Sequence, residues 1–288
     1  MRIGIVGCGK MASAMVARWL QSGHNASDFL ACTATESSAA AVREQLGISC
    51  GTDLQQVVQQ ADLLILGIKP QGLPKLRVNT APPQGQLWLS LLAGVTTYEL
   101  SIRFPGIAVA RAMPNTAVRI GQGLVGLCGG ATVTADQLSV LSTLLSPLGT
   151  VVPLSEGQMN AFTSIAGCGP AYVYAFVEAL ATAAETQGFE PATAAAMAMQ
   201  VLVGATHLAQ ADGRSPSILR AEVSSKGGMT EAALAHLAQA NWAHSLANAV
   251  AAAEARGQVL SELAGQGQPV ARPQGADTSG RDKAASDA

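Results

Sequence analysis

The chain has 288 residues, enough for two ordinary domains, with 49 % hydrophobic and only 12 % charged residues. That apolar share excludes a disordered chain, and a net charge of −2 without a basic stripe argues against nucleic-acid binding. No run of about 18 apolar residues is free of charged or strongly polar breaks, which speaks against a membrane span.

The five cysteines, Cys8, Cys32, Cys50, Cys128 and Cys168, are scattered and odd in number, with no metal-ligand spacing. They predict a reduced, cytoplasmic protein without a bound metal. The N-terminus reads as a strand running into glycines rather than as a signal peptide.

In chain order, residues 2–6 predict a strand and 11–22 a helix. Residues 29–33 predict a second strand, and 37–46 an Ala-rich helix stopped at Gly47. A short helix over 54–60, a strand over 63–68 and further strands over 88–92 and 107–112 follow. This alternation predicts a mostly parallel, doubly wound sheet covered by helices. From 158 to 263 the chain reads almost wholly as helix. Its stretch 192–211 is apolar on most faces, so it needs a partner to cover it. The predicted division is 1–154 for a dinucleotide-binding domain, 155–264 for an all-α dimerisation and substrate domain, and 265–288 for a disordered tail. Charge divides similarly: residues 1–150 carry ten Lys/Arg against seven Asp/Glu, and 151–264 carry four against nine. A positive first domain suits a phosphate-rich ligand.

Four segments carry chemistry. Gly7-Cys8-Gly9-Lys10-Met11-Ala12 is G-x-G-x-x-A between a strand and a helix. Gly7 permits the tight turn, Gly9 admits a pyrophosphate to the backbone, and Ala12 allows close packing. The second strand ends in Thr33-Ala34-Thr35-Glu36-Ser37, where hydroxyls favour a 2′-phosphate and hence NADPH, while Glu36 would favour NADH. Ile68-Lys69-Pro70, Leu92-Ala93-Gly94 and Arg111 through Asn115-Thr116 end later strands, where the nicotinamide half is expected. Finally, Val223 to Thr230 (V-S-S-K-G-G-M-T) interrupts the helices with hydroxyls and two glycines, a candidate anion-binding nest at a helix start. Arg214, Arg220, Lys226 and Arg256 are the helical domain's only Lys or Arg residues.

Taken together, the nucleotide turn, G-I-K-P-Q, L-A-G-V, R-A-M-P-N-T, A-G-C-G-P-A-Y (166–172) and V-S-S-K-G-G-M-T resemble pyrroline-5-carboxylate reductases from Arg2 to about Leu263. The resemblance implies reduction of 1-pyrroline-5-carboxylate to L-proline by NAD(P)H. It also implies a Rossmann-type domain followed by interleaved dimerisation helices, and dimers that often assemble to decamers. It places Gly7, Cys8, Gly9, Lys10, Met11, Ala12, Thr33, Thr35, Ile68, Lys69, Pro70, Ala93 and Asn115 at the cofactor. It places Glu156, Ser225, Gly228, Met229 and Thr230 at the substrate; since the family binds it without a base at position 226, the expected carboxylate ligands are the N–H groups of Gly228, Met229 and Thr230 with the Ser225 hydroxyl, and Thr230 is assigned the hydrogen bond to the ring nitrogen. Lys226 stands where the family usually has Pro, Cys168 where it often has Ser, and Leu54 and Glu222 where Asn is common. A β-hydroxyacid dehydrogenase would need a helical lysine in the second domain, and Lys226 is the only lysine there. Another imine reductase and a non-catalytic nucleotide sensor remain as alternatives.

Overall fold

The computed structural model describes residues 1–265. The segment read as a disordered tail lies outside them except for Gly265, which ends the last helix.

The first half alternates strand and helix in the order β1 (Ile3–Val6), α1 (Lys10–Gln21), β2 (Phe29–Cys32), α2 (Glu36–Leu46), β3 (Ser49–Gly51), α3 (Leu54–Gln60) and β4 (Leu63–Leu66). It continues with β5 (Leu87–Ser90), α4 (Thr97–Arg103), β6 (Ala108–Pro114), β7 (Gly123–Gly129), α5 (Ala135–Leu145) and β8 (Gly149–Pro153). One sheet results, ordered β3-β2-β1-β4-β5-β6-β7-β8. Every pairing is parallel except β6 with β7. Strand order reverses between β1 and β4, so the crevice for a ligand opens at their carboxyl ends.

The four central strands IGIV, FLAC, LLIL and LWLS are buried along their whole length, as strands covered by helices on both faces must be. One face packs Ile3, Ile5, Phe29 and Leu63 against Met15, Val16 and Trp19 of α1. The other packs Val6, Leu64 and Leu66 against Val57, Val58 and Leu100. Both tryptophans in these cores find acceptors for their indole N–H: Trp19 on the Leu144 carbonyl at 2.7 Å and Trp88 on Gln86 at 2.8 Å. Unsatisfied, each would cost about 1–3 kcal/mol.

From 156 to 265 the chain is mostly helical: α6 (Met159–Phe162), a π-helical turn over Thr163–Gly167, then α7 (Gly169–Thr186), α8 (Pro191–Asp212), α9 (Pro216–Glu222), α10 (Met229–Gln239) and α11 (Trp242–Gly265). The helices α7 and α8 pack on each other, and α11 returns to lie against α6 and the π turn. Its Leu260–Ser261 backbone passes so near Gly94 that a Cβ there would lie 3.2 Å away, which seats the helical half on the L-A-G-V turn.

The helical half covers little of itself. No residue of α7, α9 or α10 is buried, and α8 buries only Ala194 and Ala198. The helices α7 and α8 are nonetheless apolar along their length. The stretches Glu156–Thr186 and Pro191–Asp212 are long and apolar enough to cross a membrane by length and mean hydropathy alone, at 1.2 and 1.3. Isolated polar residues interrupt each stretch but leave its average apolar.

Candidate active site

The β1–α1 turn stands at the sheet's switch point. Gly7 adopts φ +85°, and a Cβ there would fall 2.5 Å from Ile68 Cγ2 and 2.8 Å from the Ile68 nitrogen. Only glycine fits that turn against the end of β4. Ala12 is buried where Gly67 passes, consistent with a close helix–strand approach. Gly9 has ordinary backbone angles, and nothing lies within 4 Å of the place a Cβ would take. Space in front of Gly9, above the first N–H groups of α1, fits a pyrophosphate. Lys10 and Met11 open that helix, and Cys8 is buried behind it with its thiol 3.5 Å from the Ser13 hydroxyl. Burial pushes the Cys8 thiol up, which leaves it an inert packing group. Ile68 closes over Gly7, Lys69 is exposed, and Pro70 begins a 3₁₀ turn.

A cavity of about 420 Å³ runs between α1 and α2, with Gly9, Lys10, Ser13, Ser38 and Arg119 in its wall. Arg119, from the 3₁₀ turn Thr116–Ile120, is a cation at the nucleotide turn that no sequence motif marked.

At the end of β2, Thr35 caps α2 by accepting the Ser38 N–H, and its hydroxyl also meets Ser37 at 3.1 Å and Ser38 at 2.9 Å. Thr33 donates to the Thr35 carbonyl at 3.0 Å. The acidic residue here is engaged elsewhere: Glu36 pairs with Arg43 at 2.6 Å. Arg43 also donates to the Cys50 carbonyl at 2.7 Å. A cluster of hydroxyls is therefore what this strand end offers to a ribose or its phosphate.

The end of β6 meets the start of the helical half. Arg111, 3 % exposed, pairs through Nη1 with Glu156 Oε1, and its Nη2 reaches the Leu92 carbonyl at 3.4 Å. Glu156 Oε2 accepts the Thr97 N–H at 3.0 Å, the Thr97 hydroxyl at 2.6 Å and the Cys128 thiol at 3.8 Å. Burial pushes the Glu156 carboxyl up, but the Thr97 hydroxyl and the Arg111 charge outweigh it, and the group is held below the ordinary range. Burial, with Glu156 beside it, raises the Cys128 thiol to about 11. Arg111 Nε is fully buried with no acceptor, a cost of about 1–3 kcal/mol.

Asn115, expected at the cofactor, has a buried side chain whose hydrogen bonds stay within the protein. It donates to the Ala166 carbonyl at 3.0 Å and accepts from the N–H groups of Ala117 and Leu124 at 3.2 and 3.3 Å. Asn115 thereby ties β6 to the π turn. Ala93, in the turn after β5, is exposed.

The loop before α10 also differs from expectation. Gly227 takes φ +73° and donates its N–H to the Glu231 carboxylate at 2.6 Å. The Gly228 N–H, expected to hold a substrate carboxylate, is given to the Ser225 carbonyl at 3.0 Å. The donors left are the N–H groups of Met229 and Thr230, in the helix's first turn. Met229 is 92 % exposed, and the Ser225 and Thr230 hydroxyls make no hydrogen bond among the described residues. Also among them, no hydrogen bond or ion pair joins residues 223–231 to the nucleotide-binding half.

Known proteins supply the name of this arrangement. Residues 156–260 match the family described as pyrroline-5-carboxylate reductase dimerisation, and residues 2–94 the one described as NADP oxidoreductase, coenzyme F420-dependent. A pyrroline-5-carboxylate reductase of Synechocystis is 30 % identical over 263 residues, 91 % of this chain and 98 % of that protein. Pyrroline-5-carboxylate reductase 2 of Bacillus subtilis is 31 % identical, across 91 % of this chain and 95 % of its own. The chain belongs to the pyrroline-5-carboxylate reductase family. The crystal structure of the Streptococcus pyogenes reductase superposes with a TM-score of 0.81 at 29 % identity, over 90 % of this chain and 98 % of the other.

Membership accounts for the bare helices, since a dimerisation domain is built to be covered by a second copy. Val173, Tyr174, Phe176, Met199, Val201 and Leu208 are all exposed in the single chain. Sequence reasoning quoted the segment holding Arg111 but gave that residue no role, and it passed over Thr97. An arginine inside an apolar strand signals a buried partner. Among the described residues, no three His, Cys, Asp or Glu side chains are grouped to hold a metal ion.

Proposed function

We propose that the protein reduces 1-pyrroline-5-carboxylate to L-proline, the last step of proline biosynthesis, with NADPH preferred and NADH the weaker donor. Membership in the reductase family along both halves of the chain carries this reading. Residues 1–154 hold the nucleotide, and 155–264 dimerise and hold the substrate.

The pyrophosphate sits on the α1 N-terminus at Gly7 to Ala12. Thr33 and Thr35 receive the 2′-phosphate, a choice supported by the pairing of Glu36 with Arg43. Ile68, Lys69, Pro70 and Ala93 border the nicotinamide side. When bound, the reduced nicotinamide supplies a hydride to the carbon of the C=N bond. The π pair of that bond withdraws onto nitrogen, so a protonated imine becomes a neutral secondary amine with no further proton. The protein's task is to align donor and acceptor and to favour the protonated ring. Thr230 takes the ring nitrogen. Met229 and Thr230 N–H groups, with Ser225, hold the carboxylate at the positive end of α10, where a dipole is worth about 0.3–2 kcal/mol. Glu156 contributes negative charge on the opposite side.

The exposed apolar faces of α7 and α8 support a homodimer, extended to a decamer, rather than a membrane span. No nucleic acid is involved. Five unpaired thiols support work in the cytoplasm. Initial rates test the reading: nucleotide oxidation with pyrroline-5-carboxylate should far exceed nucleotide reduction with any β-hydroxy acid. The reverse order would make the protein a hydroxyacid dehydrogenase, and no turnover with tight NADPH binding would make it a sensor.

A further inference from the structure

Glu156 is joined to three elements of the other half: α4 through Thr97, β6 through Arg111 and β7 through Cys128. These are the titratable and charged groups that face it. A carboxylate has about four acceptor positions on its two oxygens. The Thr97 N–H, the Thr97 hydroxyl and the Cys128 thiol crowd Oε2, while Oε1 carries Arg111 alone. Room for one more donor remains on Oε1. The Glu156 side chain is 31 % exposed against 4 % for Arg111, so that position opens outward while the cation stays sealed behind it. Arg111 also reaches the Leu92 carbonyl, directly behind Ala93, so the cluster backs onto the turn assigned to the nicotinamide side.

Stability is a poor explanation for this arrangement. A buried ion pair contributes little net stabilisation. This one also strands the Arg111 Nε without an acceptor. Its geometry nonetheless fixes the anion from three directions.

We propose that Arg111 and Thr97 are positioning residues that hold Glu156 as a fixed anion facing the cationic ring of the protonated imine. This rests on the reading of the protein as a reductase of a cyclic imine. A fixed negative charge raises the protonated fraction of the imine, and so its electrophilicity, leaving the ring N–H to Thr230.

The test is the pH profile of kcat/KM for the imine in wild type, Arg111→Met, Arg111→Lys, Thr97→Val and Thr97→Ser. The lowered Glu156 carboxyl places the wild-type acid limb below the ordinary carboxylate value of about 4.3. Arg111→Met leaves burial unopposed by charge, so its acid limb should move up by about 1–3 pH units. Arg111→Lys should recover most of that shift. Thr97→Val removes the hydroxyl bond and should also move the limb up, and Thr97→Ser should restore it. The NADPH dissociation constant, read by fluorescence, should stay within about twofold in all four. A merely structural pin would lower activity at every pH without moving the limb, and that result overturns the proposal. Should Arg111→Met fail to fold, the Thr97 pair decides by the same criterion. Absence of imine reduction in the wild type would instead mean that the protein is not an imine reductase, a distinct failure.

Discussion

Two glycines two residues apart should respond to the same substitution in opposite ways. Gly7→Ala puts a Cβ 2.5 Å from Ile68 Cγ2 and 2.8 Å from backbone, at φ +85°. The left-handed angle costs about 1–2 kcal/mol, and the overpacking adds about 1–3 kcal/mol because a backbone atom cannot yield. The turn must open, loosening the Gly7 N–H bond to Cys32 at 2.9 Å and the Gly9 N–H bond to Gly7 at 3.0 Å. At roughly 2–4 °C per kcal/mol, the melting temperature should fall on the order of 10 °C. Gly9→Ala meets nothing within 4 Å at φ −82°, so the free protein should melt within a few degrees of wild type, or higher, because the unfolded chain is stiffened by about 0.4–1 kcal/mol. Its methyl group, however, stands in the space assigned to the pyrophosphate. NADPH should bind at least about tenfold more weakly, or 1.4 kcal/mol. Differential scanning fluorimetry without ligand and NADPH fluorescence titration read the two effects separately. A Gly9→Ala protein that binds NADPH like wild type would refute the placement of the phosphates.

Replacing Glu231 by Ala removes a carboxylate that occupies the Gly227 N–H. KM for the imine should fall severalfold, because like charge next to the substrate carboxylate is lost, and steady-state kinetics at low salt check this. Lys226→Ala should change the same KM by less than about tenfold, whereas Thr230→Val should cost more, mainly in kcat/KM; the opposite pattern would show a lysine clamp. NADPH should exceed NADH in kcat/KM, and a ratio below one would mean that Glu36 releases Arg43 to read the ribose. Light scattering at micromolar concentration should find a dimer or a multiple of it, and a stable monomer would leave the faces of α7 and α8 without a cover.

Sequence alone reached the central strands because each is a short apolar run bounded by turn residues, and it reached Gly47 as the stop of α2, where the structure shows a left-handed cap. It did not reach β7, whose sequence G-L-V-G-L-C-G weakens the strand pattern at every third residue. The reason for those glycines lies outside the strand: a Cβ at Gly126 would come 2.8 Å from Leu154 and Phe162. β3 is three residues long, too short for periodicity to register. At the site, the glycine turn and the hydroxyl-rich end of β2 were legible because the chemistry is local. The roles of Arg111, Thr97 and Asn115 were not, because their partners lie 45, 59 and 51 residues away. The commitment of the Gly228 N–H to Ser225 depended on a turn geometry that residue type did not specify.

Hydride transfer to the imine carbon is tested most directly by isotope. NADPH carrying deuterium at the transferable position should yield proline one mass unit heavier, with the label on the ring carbon next to nitrogen and one proline formed per nucleotide oxidised. Unlabelled proline, or no proline from an enzyme that binds NADPH, would contradict the assignment.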